Sequence, residues 1–100
     1  MSKIVIEVAG YIDPVEEAAI KEVVNEYLRA VKKFGPFHSA HEGYGVILEE
    51  LDELWDEIKA KEELRNTTLM RDEATQVAAM ALRFMVDTCS FRNNADEQKD

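Results

Sequence analysis

Glutamates at helical spacing dominate the middle of the chain, and carboxylates of this kind bind divalent cations. Glu50, Glu53 and Glu57 recur three and four residues apart, which places them in one ridge along one side of a helix. Like charges at this spacing repel, so the ridge opposes folding unless a cation compensates it. Carboxylate oxygens are also the ligands that Mg²⁺ takes in proteins. The ridge therefore predicts either a metal site or a solvated acidic face, and spacing alone does not choose between them.

The next helix along the chain offers a second polar sector. This sector contains Glu73, Gln76, Met80, Arg83 and Asp87. A short connection between the two helices favours antiparallel packing, which brings Glu73 close to the later half of the preceding helix. Glu50, Glu53 and Glu73 would then supply oxygens to one Mg²⁺ ion. A water molecule polarised by that ion can attack phosphorus while a spare glutamate accepts its proton.

Capping residues set the limits of the helices that must position these carboxylates. Asp13 and Glu16 form a predicted capping box around Pro14, and Gly35 follows the last apolar residue, so the first helix is expected over 14–34. A second capping box, Ser39 with Glu42, begins a helix that we expect to run to Glu63. The third helix is expected from Leu69 to Cys89, after a loop that ends in a cap at 66–68.

Apolar side chains at helical spacing predict an all-α fold. Three amphipathic helices do not bury all of their apolar faces, and a closed bundle of four is the common solution. We therefore expect antiparallel helical hairpins that complete a four-helix-type bundle through oligomerisation. Trp55, Cys89 and the alanine-rich face of the third helix are expected in the core. Gly43 and Gly45 near the start of the second helix indicate either a close approach of another group or flexibility.

The ends of the chain are predicted to lie outside this bundle. Residues 2–8 are rich in β-branched side chains and predict a short strand or an extended arm, although a partner strand would have to come from another subunit. We expect an N-terminal arm over 1–12, one helical domain over 13–92 and a disordered polar tail over 93–100.

Composition excludes several classes of protein. The chain has 100 residues, of which 21 are acidic and 12 basic, and the net charge of −9 argues against a nucleic-acid partner. Its apolar runs are far shorter than the roughly 20 residues that span a membrane, and no basic-then-apolar leader begins the sequence. The single cysteine forms no internal disulfide. A cytoplasmic protein without membrane contact is expected.

The acidic stretches resemble a known motif. Residues 49–53, Glu-Glu-Leu-Asp-Glu, and residues 73–76, Glu-Ala-Thr-Gln, resemble the all-α nucleoside triphosphate pyrophosphohydrolases of the MazG-like superfamily. The pattern of that family is Glu-Glu-x-x-Glu, a spacer, and Glu-x-x-Asp. The flanking runs, 38–47 and 76–84, look like those of the short MazG-like proteins of bacteria and their phages. The resemblance covers about residues 37–87.

This resemblance implies an activity, a metal and an assembly. The activity is Mg²⁺-dependent hydrolysis of the bond between the α and β phosphates of a nucleoside triphosphate, with Mn²⁺ as an alternative metal and a nucleoside monophosphate and pyrophosphate as products. Members assemble as homodimers or homotetramers. Carried over by position, the metal ligands are Glu50, Glu53, Glu73 and Gln76, and the catalytic carboxylates are Glu49 and Glu50.

Gln76 departs from the family pattern, which has aspartate at this position. An amide oxygen ligates Mg²⁺ but brings no charge, so the resemblance implies weaker metal binding and weaker activity here. The alternative hypothesis is a non-catalytic helical protein that keeps the fold and serves as an oligomeric interaction or regulatory module.

Several other side chains are candidates for substrate contact. His38 and His41, three residues apart before and within the start of the second helix, either contact phosphate or base or serve as capping and interface residues. Tyr44 is a candidate to stack on a base, and Arg83 is a candidate to neutralise phosphate. For each of these four residues, an ordinary surface or structural role is the competing interpretation.

Overall fold

The computed structural model describes residues 5–90, which form an all-α protein of three packed helices. Helix α1 spans Pro14–Phe34, α2 spans Ala40–Ile58 and α3 spans Thr67–Cys89, with a short 3-10 helix at Glu62–Leu64 between α2 and α3. No strand is present within residues 5–90. The predicted all-α class is confirmed for this part of the chain.

Side-chain caps fix the starts of the helices. Asp13 and Glu16 form the predicted capping box, in which the Glu16 amide donates to Asp13 Oδ1 at 2.8 Å and the Asp13 amide donates to Glu16 Oε1 at 3.1 Å. At α2 the Ser39 hydroxyl accepts from the Glu42 amide at 3.1 Å, as predicted, but the Glu42 carboxylate turns to the His38 amide at 3.2 Å. This cap orients the turn that precedes α2.

Helix α3 lies in the middle and packs against both other helices. Gly43 at the start of α2 lies against Phe84 near the end of α3, so these two helices are antiparallel, as predicted. Arg71 at the start of α3 pairs with Glu22 of α1 at 2.7 Å, whereas Arg83 near its end bonds to Gly35, so α1 and α3 run parallel. Helix α3 therefore lies between α1 and α2, and both outer helices pack on it.

The core is small and lies where the ends of the three helices meet. Ala30, Phe37, Ala79 and Met80 are its buried hydrophobic residues, and no large side chain in the described chain is fully buried. A Cβ atom added to Gly43 would lie 2.6 Å from the Phe84 ring and 3.1 Å from the Phe37 ring. Of the two explanations for the glycines, close approach holds at Gly43, whereas Gly45 faces open space.

Two predicted helix limits are wrong. Helix α2 ends at Ile58 and not at Glu63, because the Arg65 side chain donates to the Ile58 carbonyl at 2.8 Å and the chain turns back toward α3. The residues that follow have good helix propensity, so the tertiary contact overrides a local preference. Helix α3 begins at Thr67, two residues before the predicted start, because Asn66 caps it by accepting from the Leu69 amide at 3.1 Å.

The predicted core membership of several side chains is also wrong. Trp55 is 56% exposed, Met85 is 62% exposed, and Cys89 is exposed as well. Alanines on the predicted packing face of α3 face solvent, while the buried sector of that helix is centred on Ala79 and Met80. The reason is geometric, since each outer helix has only α3 beside it and buries only a narrow stripe of its apolar face.

The terminal predictions fall partly outside the described residues. The predicted strand over 2–8 is absent over 5–8, and its first residues lie outside the described range. The predicted tail over 93–100 lies outside it entirely, and the domain limits stay predictions. Among residues 5–90, no helix combines the length and the apolar composition that crossing a membrane requires.

Candidate metal-binding cleft

A cleft of about 660 Å³ opens between α1 and α2, and α3 forms its floor. The lining comes from all three helices and from the turn between α1 and α2: Glu26, Arg29, Ala30, Phe34, Pro36, Phe37, His38, Glu42, Val46, Glu49, Glu50, Glu53, Glu73, Gln76, Met80 and Arg83. The acidic ridge of α2 and the polar sector of α3 therefore face one space.

Three carboxylates converge at one end of this cleft. Glu50, Glu53 and Glu73 each offer an oxygen, and these oxygens lie within 4.8 Å of one another. Glu50 and Glu73 are half-buried, and Glu53 is exposed. Antiparallel packing of α2 and α3 produces this convergence, because it places the middle of α2 beside the first turns of α3. The group can hold a metal ion.

Burial, and after it the proximity of the other carboxylates, raises the pKa values of Glu50 and Glu73. The pKa of Glu50 rises from 4.5 to about 7, first because burial disfavours the charged form and then because of the neighbouring charge of Glu53 and hydrogen bonding to it, with smaller effects of Glu73 and Glu49. The pKa of Glu73 is raised by burial and by Glu53 in the same way. Without a cation, the cluster therefore retains protons that ordinary glutamates lose.

One oxygen of the cluster lacks a hydrogen-bond partner. Glu73 Oε2 is buried, and no donor from residues 5–90 reaches it. A buried carboxylate oxygen without a donor costs free energy that a coordinated cation would recover. The donor set of three carboxylates, half-open to water, also fits Mg²⁺, which is bound by a few carboxylates and keeps several of its water ligands.

Gln76 lies beside the cluster and contacts a fourth carboxylate. Glu26 of α1 lines the same cleft, and hydrogen bonds from Arg29 and then from the Gln76 amide lower its pKa. The Arg29 guanidinium pairs with Glu26 at 2.5 Å. The amide of Gln76 is thus half-buried between two acidic groups, and its neutral charge limits the repulsion that a third carboxylate would add there.

Arg83 occupies the other end of the cleft floor. Its side chain is buried, with only 4% of the residue exposed. One terminal nitrogen donates to the Gly35 carbonyl at 2.8 Å, the other lies 3.2 Å from Met80 Sδ, and Nε has no partner in the described part of the chain. The guanidinium carbon lies 4.1 Å from the centre of the Phe37 ring. Arg83 therefore anchors the turn between α1 and α2.

The other predicted site residues have different positions. His38 lines the cleft, with Nδ1 3.7 Å from Glu42 Oε2. Glu49 also lines it, beside Glu50. His41 and Tyr44 are exposed and lie outside the lining. The structure thus brings seven of the nine predicted site residues to one cleft, the exceptions being His41 and Tyr44.

Sequence reasoning missed the contribution of α1. Glu26 and Phe34 of this helix both line the cleft. The one available sign was the pair Glu26 and Arg29 at helical spacing, which is equally typical of a solvated helix face. No known protein-family model, curated protein or solved structure matches the chain.

Proposed function

We propose that this protein is a Mg²⁺-dependent nucleotide pyrophosphohydrolase that converts a nucleoside triphosphate into a nucleoside monophosphate and pyrophosphate. The observation that carries the proposal is the convergence of Glu50, Glu53 and Glu73 from two helices within 4.8 Å in a cleft. The resemblance of residues 49–53 and 73–76 to the MazG-like motif names the reaction. The cluster alone does not identify a reaction, and the motif alone does not bring the carboxylates together.

Each carboxylate has a role in the proposed reaction. Glu50, Glu53 and Glu73 would hold Mg²⁺, or Mn²⁺ in its place, and Gln76 would offer its amide oxygen as a further ligand. The bound ion supplies charge neutralisation on the phosphate oxygens and lowers the pKa of water. Glu49, which lines the cleft beside Glu50, accepts a proton from the attacking water. The water oxygen bonds to phosphorus, and the bridge between the α and β phosphates breaks.

Hydrogen-bond donors elsewhere in the cleft support binding of a nucleotide. Arg29 and Arg83 line the cleft, and His38 lines it at the turn before α2. A volume of about 660 Å³ lies within the range of about 300–1,000 Å³ that is typical of small-molecule sites. His41 and Tyr44 stay predicted substrate contacts, since neither lines the cleft of the single chain.

Exposed apolar side chains support assembly into a homodimer or homotetramer. Leu48, Leu51 and Trp55 are 39%, 47% and 56% exposed, and they follow one another along one side of α2. A contiguous apolar stripe of this kind on a small chain is typical of an interaction surface. A second copy that packs against it would complete a four-helix-type bundle, the arrangement predicted from the amphipathic helices.

A second candidate function rests on Gln76. The amide at this position removes one negative charge from the cleft and contacts Glu26. A non-catalytic protein that keeps the helical fold and serves as an oligomeric interaction or regulatory module would tolerate this residue. The two candidates differ in one measurable property, which is release of pyrophosphate.

A turnover assay with a matched control separates these candidates. The full chain is incubated with Mg²⁺ and a panel of nucleoside triphosphates, and pyrophosphate is measured directly. Glu53→Ala is expected to abolish release, whereas Asp52→Ala, which removes an exposed carboxylate on the same helix outside the cleft, is expected to leave it unchanged. Absence of both turnover and Mg²⁺ binding in the native protein contradicts the proposed enzyme.

A further inference from the structure

The floor of the cleft changes in charge along α3. Glu73, Gln76, Met80 and Arg83 line it in order from the start of the helix to its last turns. Arg83 lies ten positions after Glu73, which corresponds to about 15 Å at the rise of an α-helix. The cleft therefore has a carboxylate end and an arginine end, and a ligand held at one end reaches the other only if it is elongated.

The arginine end contains a cation with unused hydrogen-bond donors. Arg83 is 4% exposed, and no ion pair to it is found among residues 5–90. Within the same residues its Nε has no acceptor, and one of its terminal nitrogens has only the Met80 sulfur at 3.2 Å. A thioether is a weak acceptor, and methionine side chains move easily. A ligand oxygen that displaces this sulfur would gain a stronger hydrogen bond.

The surroundings of Arg83 are mainly apolar and aromatic. The guanidinium carbon lies 4.1 Å from the centre of the Phe37 ring and 5.9 Å from that of Phe34. Phe34 is 61% exposed, and Lys33 Nζ lies 5.1 Å from the centre of its ring. Pro36 and Val46 also line this part of the cleft, together with His38 and Glu42. A strongly hydrated phosphate is poorly suited to apolar surroundings that include a carboxylate, whereas a planar base is weakly hydrated and stacks on an exposed aromatic ring.

We propose that the arginine end of the cleft is a base-reading subsite, in which Phe34 offers the stacking surface and Arg83 donates a hydrogen bond to a carbonyl oxygen of the base. The inference rests on the proposed function, because the carboxylate end must hold the phosphates. It deepens that function by naming a substrate class. Bases with an oxygen at position 6 of a purine or position 4 of a pyrimidine are preferred over those with an amino group there.

The reason for the preference is the direction of the hydrogen bond. Arginine has only donors, so it pairs with a carbonyl oxygen and opposes an amino group at the same place. Hypoxanthine and adenine form a matched pair, since both are purines and differ at position 6 in having oxygen or an amino group. A site built to donate to that oxygen discriminates by about tenfold or more.

The first test compares two nucleotides on the native protein. Dissociation constants of the α,β-methylene analogues of inosine triphosphate and adenosine triphosphate are measured calorimetrically with Mg²⁺. The inosine analogue is expected to bind at least about tenfold more tightly. Equal affinities overturn the base-reading subsite, even when pyrophosphate release shows that the proposed function is correct. Absence of any nucleotide binding removes the proposed function and this inference with it.

The second test uses variants and a ligand without a base. Arg83→Met is expected to abolish the preference for the inosine analogue. Phe34→Leu is expected to weaken the binding of both analogues by the same factor. Arg29→Met, which removes another arginine of the same cleft, is the control expected to leave the ratio of affinities unchanged. Circular dichroism verifies folding, because Arg83 also holds Gly35; if Arg83→Met does not fold, the native and Phe34→Leu measurements decide. If a folded Arg83→Met variant loses as much affinity for inorganic tripolyphosphate as for nucleotides, Arg83 is a phosphate contact. This result overturns the proposal.

Discussion

The two ends of the cleft differ in how their charges are compensated. At the carboxylate end, Glu50, Glu53 and Glu73 crowd together, and the pKa of Glu50 rises to about 7. At the arginine end, Arg83 is buried over the Phe37 ring and forms no ion pair with any residue of 5–90. The helix α3 contributes to both ends but keeps their opposite charges about 15 Å apart.

This separation shows that the fold does not use the opposite charges to neutralise each other. Buried or half-buried charges without partners reduce stability, so a structure that keeps both ends uncompensated is suited to a ligand that compensates them. On the proposals above, the carboxylate end takes a cation and the arginine end takes a group that accepts hydrogen bonds. The predictions below act on one end at a time.

The largest expected effect is on metal binding at the carboxylate end. Glu53→Ala should lower Mg²⁺ affinity by about 100-fold, because loss of a ligand costs at least as much as loss of a group that orients one, which is about 10–100-fold. Calorimetric titration measures it. Asp52→Ala, which removes an exposed carboxylate outside the cleft, should change the Mg²⁺ affinity little. Equal losses of affinity in both variants would show that Glu53 acts through the overall negative charge and not as a ligand.

The stability of the metal-free protein should depend on pH through Glu50. Its folded pKa of about 7 lies above the ordinary 4.5, so between these values the folded chain holds a proton that the unfolded chain has released. Stability therefore falls as pH rises through this window. The Glu50→Gln variant does not lose stability in this way. Its free energy of unfolding should therefore exceed that of the native protein by near zero at pH 4 and by about 2 kcal/mol at pH 8, after discounting for solvent screening. Urea denaturation at the two pH values measures it, and a constant difference would contradict the account.

Introducing at position 76 the aspartate of the MazG-like motif should strengthen metal binding at the carboxylate end. Gln76→Asp adds a charged ligand beside Glu73 and should raise Mg²⁺ affinity about tenfold, which corresponds to about 1.4 kcal/mol. Pyrophosphate release should increase with it. Creation of metal binding or turnover where the native chain has none would support the regulatory candidate, because it would show that the native site is degenerate.

The contact between α2 and α3 near the arginine end should be sensitive to packing. Gly43→Ala places a Cβ 2.6 Å from the Phe84 ring and should destabilise the fold by about 1 kcal/mol net, since overpacking outweighs the gain in helix propensity. Gly45→Ala is the matched control, because that position is open and the substitution should stabilise the helix by up to about 1 kcal/mol. Thermal denaturation compares them, and a stabilised Gly43→Ala would show that Phe84 gives way.

Local signals predicted the helix starts better than the faces that pack. The residues Asp13 and Ser39 cap helices where the sequence places them, because a cap depends on neighbours within four positions. The end of α2 was not predictable in this way, since it depends on Arg65 reaching back to the Ile58 carbonyl. Trp55 was assigned to the core, yet only tertiary packing decides which part of a wide apolar face finds a partner.

The candidate site was predictable in part for a similar reason. The carboxylates recur at helical spacing, and a short connection joins α2 to α3. Their convergence therefore follows from antiparallel packing of two consecutive helices. The contributions of Glu26 and Phe34 were not predictable, because α1 is placed by its contacts with α3 and not by any motif of its own. The reason for a neutral side chain at position 76 comes only from its contact with Glu26.

The most direct test of the account is to locate the ion. Crystals of the native chain grown or soaked with Mn²⁺, which substitutes for Mg²⁺ and scatters anomalously, show whether a metal lies in the cleft. The account predicts one anomalous peak within about 2.2 Å of oxygens from Glu50, Glu53 and Glu73. An occupied Mn²⁺ site elsewhere, or saturating Mn²⁺ with these three carboxylates unligated, would contradict it.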